Sequence, residues 1–227
     1  MVDNENDLKE IKVILLGESG VGKTCIINRY VHNLFSPEVE STLGSSFLCK
    51  EIIKDNIKYK LNIWDTTGQE RYRSVTNIFI KGALIVILVY AIDSMNSFES
   101  LKYWYENVKE KLEGDKYILA IVGNKSDLIE NEVVSEDEAR SFATERNAIF
   151  ATISCKQTPE GIDCLFNNLL DELIKKNYFQ PSKSYVLDNK KNIILKRKKK
   201  FVKYISGMFI NIILIKFYHL IILLLLN

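Results

Sequence analysis

At 227 residues the chain has room for one domain of ordinary size and a tail, or at most two small domains, and its 47% hydrophobic content suffices for a sizeable core. The net charge of +2 averages two unlike parts: residues 1–189 hold 22 Lys/Arg against 29 Asp/Glu, whereas residues 190–227 hold nine basic residues and no acidic one. The acidic body argues against nucleic-acid binding, and the basic end suits an anionic membrane surface.

The N-terminus is polar and acidic through Glu10, so no signal peptide is expected. Residues 11–16 form a short apolar run rich in branched side chains and stopped by Gly17, the pattern of a buried strand. A helix is expected over 23–34. Residues 52–53 and 58–65 flank Asp55-Asn56, a turn signal between two strands of a hairpin. Apolar runs at 84–90 and 117–122 each lead into a polar loop and a helical pattern. Ser97 is expected to cap one of those helices, and Ser135 with Glu138 makes a capping box for another. A last strand is read over 148–154 and a last helix over 160–176. The alternation predicts an α/β domain with a mostly parallel six-stranded sheet, one antiparallel edge strand and helices on both faces. Cys25, Cys49, Cys155 and Cys164 lack the spacing of a zinc site or a disulfide framework, which favours free thiols in a reducing compartment.

Three motifs fall in loops beyond the carboxyl ends of predicted strands, where such sheets bind ligands. Gly17-Glu18-Ser19-Gly20-Val21-Gly22-Lys23-Thr24 fits G-x-x-x-x-G-K-[ST] between a strand and a helix. Its backbone, from Ser19, Gly20, Val21 and Gly22 into Lys23, Thr24 and Cys25, can close around phosphates at a helix N-terminus. Lys23 is placed to reach the β- and γ-phosphates and the Thr24 hydroxyl to ligate Mg²⁺. This loop alone leaves open ATP or GTP, kinase or switch. Asn124-Lys125-Ser126-Asp127 narrows the choice, because the Asp127 carboxylate can accept hydrogen bonds from both guanine N1–H and the 2-amino group. Adenine offers neither donor and would leave a buried acceptor unpaired, at a cost of ~1–3 kcal/mol. Asn124 would brace the loops, and the Lys125 stem would cover the base. Taken alone this four-residue match is more often a solvated turn; 101 residues after Lys23, at a strand end, it is specific. Asp65-Thr66-Thr67-Gly68-Gln69-Glu70 closes the third strand: Asp65 can hold Mg²⁺ through a water, the Gly68 N–H can sense a γ-phosphate, and Gln69 can orient the attacking water. Thr42, 19 residues after Lys23, is either a Mg²⁺ ligand in the triphosphate state or a solvated loop hydroxyl.

With Ser154-Cys155-Lys156, these motifs resemble the Ras superfamily of small GTPases in order and spacing over about residues 9–177. The resemblance implies the P-loop GTPase fold, GTP or GDP as ligand with Mg²⁺, and slow hydrolysis by Gln69 and Lys23. It also implies that Phe35 lies against the guanine and that the Cys155 backbone N–H reaches its O6. Most members carry Ala at the Cys155 position, a change that a backbone contact should tolerate. The motif 17–24, Ser41-Thr42-Leu43-Gly44, Trp64 with the Asp-Thr-x-Gly-Gln-Glu-Arg-Tyr run, and Leu88-Val89-Tyr90 resemble the Rab branch in particular. That branch acts in vesicle and membrane trafficking on the cytosolic face of intracellular membranes, through an exchange factor, a GTPase-activating protein and effectors. Its state-reading aromatics would be Phe47, Trp64 and Phe79, although plain strand packing would also explain the first two. The chain departs from the pattern in four places. Thr67 replaces Ala beside Gly68, putting a β-branched side chain where the loop must flip; Ser45-Ser46 replaces Val-Asp; Ala91 replaces Asp; and Phe79 lacks a Tyr hydroxyl. Two other readings stay open: a nucleotide-locked binding module with negligible hydrolysis, motivated by Thr67, and a Ras-like signalling or nuclear-transport GTPase outside the Rab branch, against which Trp64 and Leu43-Gly44 argue.

Beyond the domain, residues 178–189 read as a linker, 190–203 as a basic segment and 204–227 as an apolar tail. Rab proteins end in cysteines that carry prenyl chains, and this chain has no cysteine after Cys164. Residues 205–226 are long enough to span a bilayer, which takes ~20 residues, despite Lys216 near the middle. One reading is a tail anchor with a basic cytosolic flank. The other is translated A/T-rich noncoding sequence, since 33 of the 38 residues from Lys190 are Lys, Asn, Ile, Leu, Phe, Tyr or Met.

Overall fold

The structure, a computed structural model, describes residues 8–36, 45–67, 78–157 and 159–179. Apolar runs become strands where both faces are covered. Strand β1 (Lys9–Leu16) is buried from Val13 onward, and β4 (Ile85–Ala91) and β5 (Ile118–Asn124) are buried at every position. Such continuous burial is what a parallel sheet under two helix layers demands. The hairpin pairs β2 (Ser45–Lys54) antiparallel with β3 (Ile57–Thr66). Its two-residue turn needs positive φ at both positions, supplied by Asp55 (50°) and Asn56 (60°), residue types that tolerate it. With the short β6 (Ile149–Thr152), the sheet runs β2-β3-β1-β4-β5-β6. Every neighbouring pair is parallel except the β2 edge, as expected from the sequence.

Alternate side chains of each strand feed two cores. One face holds Val13, Leu15, Ile87 and Val89 against α1 (Lys23–His32) and α5 (Glu160–Lys176). The α5 stripe Ile162, Leu165, Phe166, Leu169, Leu170 and Leu173 has helical spacing, and the Phe166 ring stacks on Tyr30 of α1 with centroids 3.7 Å apart. The other face holds Ile14, Leu16, Val86 and Leu88 against α2 (Met95–Glu99), α3 (Leu101–Lys111) and α4 (Glu136–Thr144). Leu101, Trp104 and Val108 of α3 are fully buried there.

Two local details refine the sequence reading. Helix α1 stops at His32, short of the expected 34, because Asn33 turns left-handed (φ 54°) and returns its N–H to Arg29 O. The cap expected at Ser97 belongs to Ser94, whose hydroxyl accepts from the Ser97 N–H at 3.3 Å. The Ser97 hydroxyl is taken up inside the protein, accepting from the buried Ala91 N–H at 3.0 Å and donating to Ser94 O at 2.7 Å. A buried backbone donor must be paired, and that need outweighs the helix end. Ser135 caps α4 as expected, accepting from the Glu138 N–H at 3.3 Å. Among the described residues no helix is long and apolar enough to cross a membrane, and the tail 190–227 lies outside them.

Candidate nucleotide site

Because β1, β3, β5 and β6 run parallel, their carboxyl ends emerge on one edge of the sheet, and the loops carrying the motifs meet there. The loop after β1 has glycine where no side chain fits. A Cβ on Gly17 would stand 2.1 Å from Val89 O, and one on Gly22 would stand 2.3 Å from Asn124 Nδ2, with φ at 93°. Val21 is buried behind the loop, Ser19 and Gly20 are exposed on it, and Cys25 is half-buried one turn into α1. Lys23, only 5% exposed, turns back on the loop and donates to Gly17 O at 2.9 Å and Glu18 O at 2.7 Å. Burial pushes its ammonium down to about 8, against the opposing pull of the Asp65 and Glu18 carboxylates. A cation held this close to neutrality by desolvation gains strongly from an anion placed beside it.

The Thr24 hydroxyl donates to Asp65 Oδ2 at 2.7 Å, joining α1 to the end of β3. Asp65 is 2% exposed, and the neighbouring Thr66 hydroxyl is anchored on Leu15 O at 2.6 Å. This hydroxyl–carboxylate pair is a hard-oxygen donor set suited to Mg²⁺. Among the described residues no cluster of three His, Cys, Asp or Glu could hold a metal ion. Thr67, one of the departures from the pattern noted in the sequence, is buried. Thr42, Gly68 and Gln69 lie outside the described residues.

Asn124 braces the loops as expected: its Nδ2 donates to Val21 O at 2.7 Å, and its Oδ1 accepts from the Cys155 thiol at 3.3 Å. Lys125 adopts positive φ (66°) and sets its Nζ 3.4 Å from both oxygens of Asp93. The Asp127 carboxylate accepts from the Ser154 hydroxyl at 2.6 Å, with Lys156 Nζ 3.9 Å from its other oxygen. Ser154 Oγ in turn accepts from the Lys156 and Gln157 backbone N–H groups at 3.2 and 3.3 Å, so the hydroxyl has one orientation left for its own proton. The predicted base-reading residues, 124–127 and 154–156, are thus brought together with the phosphate loop.

Phe35, half-buried after α1, lies with its ring 5.7 Å under the Arg29 guanidinium. Sequence reasoning missed Arg29 and Asp93. Arg29 Nε donates to Cys155 O at 2.9 Å, a contact across 126 residues that no local pattern signals. The three aromatics expected to read out the state do meet: Phe47 and Trp64 have centroids 5.3 Å apart edge-to-face, and Trp64 and Phe79 stack at 5.0 Å. Phe47 and Trp64 are also directly opposed in the β2–β3 register, so strand packing and surface display coincide.

Comparison with known proteins agrees with this geometry. The sequence profile of the Ras family matches residues 12–175. A Rab-5B ras-related protein of Dictyostelium discoideum is 44% identical over 177 residues, covering 78% of this chain and 81% of the relative. Rab-18 of Caenorhabditis elegans is 38% identical over 173 residues, 76% of this chain and 84% of the relative. The GTP-binding protein ypt3 of Schizosaccharomyces pombe is 37% identical over 164 residues, 72% and 76%. The phosphate loop, the Thr24–Asp65 pair and the 124–127 and 154–156 loops all lie within the matched region, and the chain belongs to the Ras family, close to its Rab-named members.

Proposed function

We propose that the domain 9–177 is a guanine-nucleotide switch of the Rab type, which binds GTP or GDP with Mg²⁺ and hydrolyses GTP slowly. The observation that carries this reading is the Asp127 carboxylate, fixed by Ser154 at a strand end and linked through Asn124 to the phosphate loop. In this reading Ser19 through Cys25 wrap the phosphates, with Lys23 released from its own loop carbonyls to a phosphate oxygen. Asp127 accepts from guanine, the Cys155 N–H donates to its O6, and Lys125 and Phe35 cover the base. Thr24, Asp65 and Thr42 would hold Mg²⁺, which would supply charge neutralisation on the phosphates. Gln69 aligns the attacking water, and Gly68 and Thr42 sense the γ-phosphate. Such positioning alone yields turnover on the order of 10⁻⁴–10⁻³ s⁻¹, so a GTPase-activating protein must accelerate it and an exchange factor must reload it. The Rab names of the relatives favour trafficking on the cytosolic face of an intracellular membrane over other Ras-like roles.

Asp127→Asn tests the reading. It replaces one acceptor by a donor, so GTP and GDP should bind far more weakly while xanthine nucleotides gain relative to them. Competition binding with all four nucleotides reads the outcome, and equal affinity of the natural chain for ATP and GTP would overturn the proposal.

A further inference from the structure

Arg29 occupies the last turn of α1, outside every motif that the sequence singled out. Its guanidinium nevertheless ties three parts of the site together. Nε donates to Cys155 O at 2.9 Å, Nη1 donates to Asn33 O and Oδ1 at 3.3 and 3.4 Å, and its Cζ lies 5.7 Å from the Phe35 ring centroid. The Cys155 carbonyl shares a peptide plane with the Lys156 N–H, and that N–H donates to Ser154 Oγ, the hydroxyl that holds Asp127. Arg29 therefore grips one end of the peptide group and the Ser154–Asp127 pair grips the other. The thiol of the same residue fixes it from the side, donating to Asn124 Oδ1 while Asn124 Nδ2 donates to Val21 O of the phosphate loop. Cys155 is 4% exposed, so its thiol has no water to turn to.

We propose that Arg29 is a positioning residue for nucleotide retention: through Cys155 it locks the 154–157 loop to α1, the Phe35 segment and the phosphate loop, and so sets how slowly a guanine nucleotide leaves. This rests on the guanine-nucleotide reading above. A planar fork can hold a carbonyl, the Asn33 amide and an aromatic face at once, which a lysine cannot. A charge-assisted hydrogen bond is also among the stronger polar contacts available to a half-buried carbonyl. Loss of the fork leaves the loop free to swing from the base while the phosphate contacts stay intact.

The test is release of fluorescent GDP from the full-length chain into excess unlabelled GDP. Arg29→Met should speed dissociation about tenfold, the loss of one charge-assisted bond, with the association rate little changed. Arg29→Lys should fall between the two. Cys155→Ala should speed release about threefold. Because the Arg29–Cys155 bond is present without nucleotide, the nucleotide-free midpoint should fall in any case; the positioning role is read as a change confined to dissociation, whereas a merely structural loss would impair loading as well. If Arg29→Met does not fold, Arg29→Gln reads the same contact. GDP release from these Arg29 variants at the natural rate would overturn the inference alone, as would a faster release matched by an equal loss in the association rate. Absence of any GDP binding by the natural chain would overturn the nucleotide reading and this inference with it.

Discussion

Burial separates the four cysteines chemically, although the sequence lists them as equals. Desolvation pushes the Cys155 thiol up to about 12, so very little reactive thiolate forms there at pH 8. Cys49 and Cys164 are exposed and Cys25 is half-buried. With a water-soluble maleimide at pH 8, Cys49 and Cys164 should label first and Cys155 last, as read by mass spectrometry of peptides over time; early labelling of Cys155 would mean that its loop opens readily. Gln69 is the other residue-scale case. It belongs to a motif that is legible in the sequence but lies outside the described residues, so its role is open to kinetics alone. Gln69→Leu removes the amide that would orient the water, and should lower intrinsic single-turnover hydrolysis with little change in nucleotide affinity. An unchanged rate would remove Gln69 from the mechanism.

Element by element, the signals that survived folding were those whose partner lies within a few residues. Asp55-Asn56 forms the hairpin turn because positive φ is a property of those residues themselves. Ser135 caps α4 because its acceptor role is met three residues on. Ser97 fails as a cap because β4 lies beneath it and claims its hydroxyl. The two serines should therefore respond differently to truncation. Ser135→Ala should cost about 1 kcal/mol, the worth of an exposed cap. Ser97→Ala strands the buried Ala91 N–H and should cost more, about 1–3 kcal/mol. Urea unfolding of the two variants orders them, and equal losses would show that water reaches Ala91. Strand β2 is longer than the sequence suggested, reaching back to Ser45, because cross-strand pairing with β3 holds residues that have no apolar alternation of their own.

At the scale of the whole molecule, charge and hydropathy divide the chain. The 22 basic and 29 acidic residues through 189 give way to nine basic residues and none acidic beyond. The last described residues are held on the domain, with the Phe179 ring 5.8 Å from Tyr59 and Lys9 Nζ 4.7 Å above it. The basic segment and the apolar run within residues 190–227 are proposed to attach the chain to a membrane. Full-length protein should sediment with membranes and resist extraction by high salt, because an apolar span is held by burial and not by screened charge. Deletion of residues 205–227 should release it to the soluble fraction. Full-length protein that stays soluble and monomeric without detergent would overturn the anchor. Cysteine codons at the end of the native transcript would replace it with a prenylated terminus.

The strand and helix order, the antiparallel edge and the motif-bearing loops were legible before folding, because they depend on periodicity, turn chemistry and motifs a few residues long. Which side chains hold those loops to one another emerges from the folded chain. Thr24 meets Asp65 across 41 residues, Asn124 meets Val21 across 103, and Arg29 meets Cys155 across 126. Each of those contacts depends on the parallel register of β1, β3, β5 and β6, which brings distant strand ends to one edge of the sheet; no local pattern encodes a partner whose distance in the chain is set by everything folded between.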